Sequence, residues 1–240
     1  HELAKQLKSD GQKIVGCFYG AMPKELIHAA GMVPIQLAED PDYQYEEKSH
    51  LLPYLCGMSR NLTGQLYEKV FDYVDGAMVS TVCDTQRRVP DIWVRDGLFP
   101  KTWIVRAPAM DNDFAVDYFT KEMHRLAEEL GEMSGQKVTE ENLRNSIELF
   151  NENRRLFGQF YDARPTSGIS AEQAVYVFAA GLVMPVEEHN AMLKELLASL
   201  PPADGEEKTK LMLCALNLNM SLDVIRLAEK YGGRVVTDDF

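Results

Sequence analysis

Short apolar runs separated by amphipathic stretches fill the first hundred residues. KIVGCFYG (13–20) is apolar almost without interruption, the pattern of a strand covered on both faces. Pro23 then opens PKELIHAAG as a helix, because a proline in the first turn gives up an N–H that has no partner there, and Gly31 closes it. MVPIQL (32–37) predicts the next strand, Ser59 to Phe71 a helix, GAMVSTVC (76–83) a strand, the segment from Asp84 a helix, and TWIVRAP (102–108) a strand. Strand, helix, strand with short connections is the signature of a parallel sheet covered by helices, an α/β domain over residues 1–111.

From 112 to 200 the period lengthens to that of helices. Phe119, Met123, Leu126, Leu130 and Met133 recur at spacings of four and three, and Gly135 follows as a stop. A second helix is predicted from Thr139 to about Gln159, with Leu143, Ile147, Phe150 and Phe157 inward. SAEQ (170–173) has the form of a capping box, and Pro185 stands near the first turn of PVEEHNAMLKELLASL. PPADGEEK (201–208) reads as a linker. After it KLMLCAL, LDVIRLAEKYGG and RVVTDDF read as strand, helix and strand, the beginning of a second α/β domain over 209–240. One such unit cannot cover its own sheet, so a truncated chain is expected.

Charge narrows the functional classes. Thirty-seven acidic against twenty-five basic residues give a net charge of -12, which argues against a nucleic-acid or anionic-membrane surface and fits a cytoplasmic metabolic protein. No run reaches the ~18 to 20 apolar residues of a membrane span, and HELAKQLKSD is too polar for a signal peptide. The cysteines, at 17, 56, 83 and 214, are scattered, so reduced thiols or metal ligands are expected rather than a disulfide framework.

Ligands of parallel sheets gather at the carboxyl ends of strands, and Cys83 is expected at such an end, with Arg87 and Arg88 close behind it. It reads as a metal ligand, a nucleophile or a packed thiol. No histidine follows nearby to serve as its base, whereas the arginines suit a negatively charged thiolate-ligated cluster. Cys56, before a helix and followed by Gly57 and Arg60, occupies the same kind of position. Two single cysteines do not make a zinc-finger pattern. Cys17, within a strand, reads as packing; Cys214, near a strand end, reads as either packing or cleft. Glu25 and His28 are candidates for proton transfer or substrate contact, or else a solvated Glu and a locally packed His. Glu187, Glu188 and His189 read as a charged first turn. No GxGxxG, Walker or GxSxG motif is present.

Taken together, PKELIHAAGMVP, a lone cysteine before a helix, and FDYVDGAMVSTVCDTQRR resemble the 2-hydroxyacyl-CoA dehydratase and benzoyl-CoA reductase superfamily. The helical middle looks most like the C-type subunit of ATP-dependent benzoyl-CoA reductases. The resemblance implies an iron-sulfur subunit with two Rossmann- or flavodoxin-like domains and helical insertions. It implies a [4Fe-4S] cluster held by Cys56 and Cys83, with a third cysteine ligand expected beyond Phe240, and it gives Arg87 and Arg88 a role beside the cluster or at CoA phosphates. Glu25 and His28 become proton-handling or substrate-facing residues. The implied partners are an acyl-CoA substrate, a homologous cluster-bearing subunit and an ATP-hydrolysing iron-sulfur activator, which uses the ATP in place of this chain. The reaction implied is reduction of an aromatic acyl-CoA ring. The alternatives are ketyl-radical dehydration of a 2-hydroxyacyl-CoA, a double-cubane-cluster reductase of small molecules, or a scaffold subunit without a cluster.

Overall fold

The computed structural model describes residues 1–20, 22–40, 42–43, 51–52, 54–203, 208–214 and 221–238. Its contacts divide the chain into two units, His1–Ile147 and Glu148–Phe240.

The first unit is built on a parallel sheet of β1 (Ile14–Phe18), β2 (Val33–Gln36), β3 (Gly76–Ser80) and β4 (Thr102–Val105), in the spatial order β2-β1-β3-β4. Gly16 lies opposite Ile35 on one side and Ala77 on the other, and Met78 opposite Trp103. Alternate side chains go to opposite faces, and both faces are covered, which is why these strands read as apolar runs. Ile14, Phe18, Ile35, Ala77 and Val79 pack against α1 (Glu2–Ser9), α3 (Gly57–Tyr67) and α4 (Asp84–Arg95) through Ala4, Leu62, Leu66, Val89 and Trp93. Val15, Cys17, Met78, Trp103 and Val105 pack against α2 (Lys24–Ala29) and α5 (Asp113–Ser134) through Leu26, Ile27, Leu126 and Leu130. Thus α5 belongs to the sheet's own core. The crossover through α2 moves the chain one way from β1, and those through α3 and α4, on the opposite face, carry it the other way. Right-handed crossovers require that split. The strand order therefore reverses between β1 and β3, as in flavodoxin-like folds.

Two strands stop short of their apolar runs. β1 ends at Phe18 rather than residue 20, and β3 at Ser80 rather than residue 83. Beyond Phe18 the Tyr19 carbonyl accepts a hydrogen bond from the Gln86 side chain (2.9 Å) in place of a strand partner, and Gly20 turns the chain at φ 110°. Val82, apolar in sequence, is 54% exposed.

The second unit contains most of α6 (Glu140–Ala163), a 3-10 turn at Arg164–Thr166, α7 (Ala171–Val183), α8 (Val186–Ala198), β5 (Thr209–Leu213), α9 (Ser221–Lys230) and β6 (Gly233–Asp238). β5 and β6 pair in parallel with an irregularity between Leu211 and Met212. Ile225 of α9 and Ala171 and Val175 of α7 cover Val235. The Ser170 capping box forms in both directions, with Gln173 N–H on the Ser170 hydroxyl (3.1 Å) and Ser170 N–H on the Gln173 side chain (2.9 Å). Arg164 and Asp238, 3% and 2% exposed, form a buried ion pair at 2.6 Å. The Tyr161 hydroxyl also donates to Asp238, and the Arg164 guanidinium sits 4.7 Å over the Tyr161 ring.

Ile147 is 41% exposed, contrary to the predicted inward face of α6; the buried residue there is Ser146. Its hydroxyl donates to the Glu25 carbonyl at 2.8 Å, so a polar contact with α2 sets the phase of this turn of the helix. Of the predicted linker, 204–207 lie outside the described residues, while Pro202 bridges Ser167 and the Pro201 carbonyl accepts from Gly168 N–H at 2.7 Å. Among the described residues no helix is long and apolar enough to cross a membrane.

Candidate functional site

The reversal between β1 and β3 is a topological switch point, and the carboxyl edge there is the usual ligand position in open α/β folds. Three side-chain hydrogen bonds tie this edge together. Ser80 Oγ donates to Gln86 Oε1 (3.1 Å) and approaches the Tyr19 carbonyl (3.4 Å), and Gln86 Nε2 donates to that carbonyl. These bonds lock the turn after β1 onto the end of β3 and the first turn of α4. The Tyr19 hydroxyl donates to the buried Glu39 carboxylate, which fixes the exit of β2 as well. Burial first, and then the Glu39 bond and charge, push the Tyr19 hydroxyl far above its ordinary range, so it stays protonated.

α3 and α4 each return from the carboxyl edge, so their N-termini lie on it. Cys56 is the N-cap residue of α3 and Cys83 that of α4. Both thiols are free and exposed. Cys56 Sγ lies 3.0 Å from Ser59 Oγ, and Cys83 makes no side-chain cap bond to its helix. Unpaired N–H groups at a helix start favour negative charge placed beside them. Cys83 is thus a helix-cap residue three positions beyond the strand rather than a strand-end residue, though on the expected edge. Cys17 lies within β1, fully buried, and burial pushes its thiol up to about 12, which leaves it inert as ligand or nucleophile. Cys214, exposed, follows β5 in the second unit.

Arg87 Nε donates to the Thr81 carbonyl (3.3 Å), its guanidinium 3.9 Å from the fully exposed Asp84. Arg88 is exposed on the same helix. Glu25 stands in the first turn of α2 and His28 in the last. The Ser146 hydroxyl proton goes to the Glu25 carbonyl, so the 3.0 Å contact between His28 Nδ1 and Ser146 Oγ carries the histidine's proton. Glu187 and Glu188 form the first turn of α8, as read from sequence. His189 is different: it is buried, with Nε2 donating to the Val177 carbonyl (3.1 Å) and Nδ1 accepting from the Asn153 amide (2.8 Å). Gly181 makes room for it, since a Cβ there would lie 2.5 Å from His189 Cε1.

Sequence reading passed over Ser80, Gln86 and Arg106. Arg106 directly follows β4, the same strand-end signal that drew attention to Cys83. Among the described residues no group of three or more His, Cys, Asp or Glu could hold a metal ion. Two exposed cap thiols suit two positions of a thiolate-ligated iron-sulfur cluster, and the remaining ligands would have to come from elsewhere.

A parallel sheet whose strand order reverses, with two cap thiols on its carboxyl edge, defines an α/β protein. A more specific assignment comes from sequence comparison. The family model for 2-hydroxyglutaryl-CoA dehydratase, D-component, matches residues 19–240, and the chain belongs to that family. It is 31% identical to the C-type subunit of the benzoyl-CoA reductase of Thauera aromatica, over 95% of this chain and 61% of that protein. It is 22% identical to the (R)-phenyllactyl-CoA dehydratase beta subunit of Clostridium sporogenes, over 99% of this chain and 64% of that protein. For the (R)-2-hydroxyglutaryl-CoA dehydratase beta subunit of Acidaminococcus fermentans the identity is 25%, over 89% of this chain and 58% of that protein. The chain thus spans about three fifths of the length of these curated relatives.

Proposed function

We propose that this chain is part of the iron-sulfur subunit of a benzoyl-CoA reductase-type enzyme, with Cys56 and Cys83 as cluster ligands and an aromatic acyl-CoA thioester as substrate. The observation that carries it is the pairing of two free, exposed thiols at helix N-caps on one edge of one sheet, in a chain with 31% identity to a subunit of such a reductase. When bound, such a cluster supplies single electrons at low potential. The protein's own part is to hold and screen it. The starts of α3 and α4 favour its negative charge, Arg87 and Arg88 offset that charge or meet the phosphates of coenzyme A, and the Ser80–Gln86–Tyr19 lock keeps the two strand ends at fixed separation. Glu25 and His28, on the helix that follows β1, are the candidates for proton transfer. A homologous subunit, an ATP-hydrolysing iron-sulfur activator and a cytoplasmic setting belong to the same proposal.

A second reading, 2-hydroxyacyl-CoA dehydratase, is favoured by the description of the family and by the dehydratase subunits among the relatives. Turnover of benzoyl-CoA against a 2-hydroxyacyl-CoA separates the two. The cluster is tested by iron and acid-labile sulfide analysis after anaerobic purification. About four of each per protein are expected, lost in Cys83→Ala and in Cys56→Ala. Full iron and sulfide in both variants would overturn the assignment.

A further inference from the structure

We propose that Arg106 and Arg87 form an anion subsite at the carboxyl edge of β3 and β4 that binds the phosphate groups of the coenzyme A portion of the substrate; this rests on the acyl-CoA reading above. The backbone sets the two arginines side by side. Thr81 N–H donates to the Val105 carbonyl (3.1 Å), which continues the β3–β4 pairing one residue past β3. The Thr81 carbonyl holds Arg87 Nε, and Arg106 is the residue after Val105. The Arg87 side chain, carried by α4, is therefore held at the end of β3, next to the strand end from which Arg106 starts.

Arg106 shares its acidic partner with another cation. Its guanidinium lies 3.5 Å from the buried Glu122, and its backbone N–H approaches the same carboxylate at 3.4 Å. Glu122 is already engaged by Arg125, which donates to its two oxygens at 2.8 and 3.1 Å. Arg125 also bonds Glu129 and the Ile104 carbonyl, and Lys101 pairs with Glu129 at 3.0 Å. Two carboxylates thus meet three cations, of which Arg106 at 53% and Lys101 at 48% are half-exposed, and Arg106 is the one that stands at the carboxyl end of β4. On the β3 side the nearest acid, Asp84, lies beyond hydrogen-bond distance of Arg87 and is fully exposed. In a chain of net charge -12, these two half-exposed guanidinium groups at the ends of adjoining strands, each with one acid within 4 Å, bring forked cationic donors to the carboxyl edge. Their forked donors match a phosphate, and coenzyme A carries three phosphate groups on a flexible arm.

The test is calorimetric titration of coenzyme A into the anaerobically purified complex. Arg106→Gln is expected to weaken binding about tenfold or more, the loss of one charge-assisted contact, with iron content unchanged. Arg144→Gln, which removes an exposed cation on α6, is expected to leave the affinity unchanged. Wild-type binding with an unaltered Arg106→Gln affinity overturns this inference alone, as does an equal loss in Arg144→Gln. A wild-type complex that does not bind coenzyme A overturns the acyl-CoA reading together with it.

Discussion

Gly20 shows at the scale of one residue how the carboxyl edge of the sheet depends on backbone conformation. Its φ of 110° is one that side-chain-bearing residues rarely adopt, and a Cβ there would strike Ser80 Oγ. Gly20→Ala is expected to destabilise the protein by about 2 kcal/mol or more and to loosen the Ser80–Gln86–Tyr19 lock, read as a lower denaturation midpoint. His189 gives a pH dependence. Burial lowers its pKa from the ordinary value, the Val177 carbonyl only partly opposing this, so the folded state holds a neutral ring where the unfolded chain takes up a proton. A lowered folded-state pKa means stability that is fully present above about pH 6.5 and lost as pH falls below it. The protonated ring would also point a second donor at the Asn153 amide. His189→Gln keeps one donor and one acceptor without titrating. Wild type is therefore expected to lose more thermal stability than His189→Gln between pH 7.5 and 5.5, and equal losses would sink the idea.

Element boundaries follow local rules where the rules are local. The Ser170 capping box was legible as SAEQ, and both of its hydrogen bonds form. Ser170→Ala is expected to cost about 1 kcal/mol in the melting of the second unit, and Ser170→Thr to retain most of it. Gly135 ends α5 in the left-handed conformation, as its position predicted. The strand end at β3 is not legible in the same way, because VSTVC continues the β-favouring composition of the strand. Its pairing ends at Ser80 and Thr81, before α4 starts at Asp84, where the Gln86 side chain reaches back to the Tyr19 carbonyl. The phase of α6 at Ile147 escapes the apolar pattern for the same kind of reason. A serine buried to serve a carbonyl of α2 carries no apolar signal.

For the molecule as a whole, the strand order decides where chemistry can gather. The reversal between β1 and β3, with helices split between the two faces, brings the starts of α3 and α4 to one edge. The loss of iron in the cysteine variants, and of coenzyme A affinity in Arg106→Gln, belong to this scale, since each depends on groups far apart in sequence sharing that edge. Cys83→Ala is expected to remove iron and, compared with wild type stripped of its iron, to leave the thermal midpoint unchanged, because the thiol is exposed and makes no cap bond. A large fall in the midpoint would assign Cys83 a packing role instead.

The chain's own pattern determined the α/β class, the parallel strands, the helix order and the cysteines placed before helices, because apolar periodicity, caps and stops act within a few residues. Hydrophobic content also foretold that both faces of the first sheet are covered. Tertiary structure alone decided that α5 joins the sheet's core, while it bore out the packing role read from sequence for Cys17. It also made His189 a buried hydrogen-bonding node within a charged turn, and it set Arg106 on the strand end next to the Thr81 carbonyl that Arg87 bonds. Each of these rests on contacts across dozens of residues, where burial and hydrogen-bond partners are set by packing and leave no periodic trace along the chain.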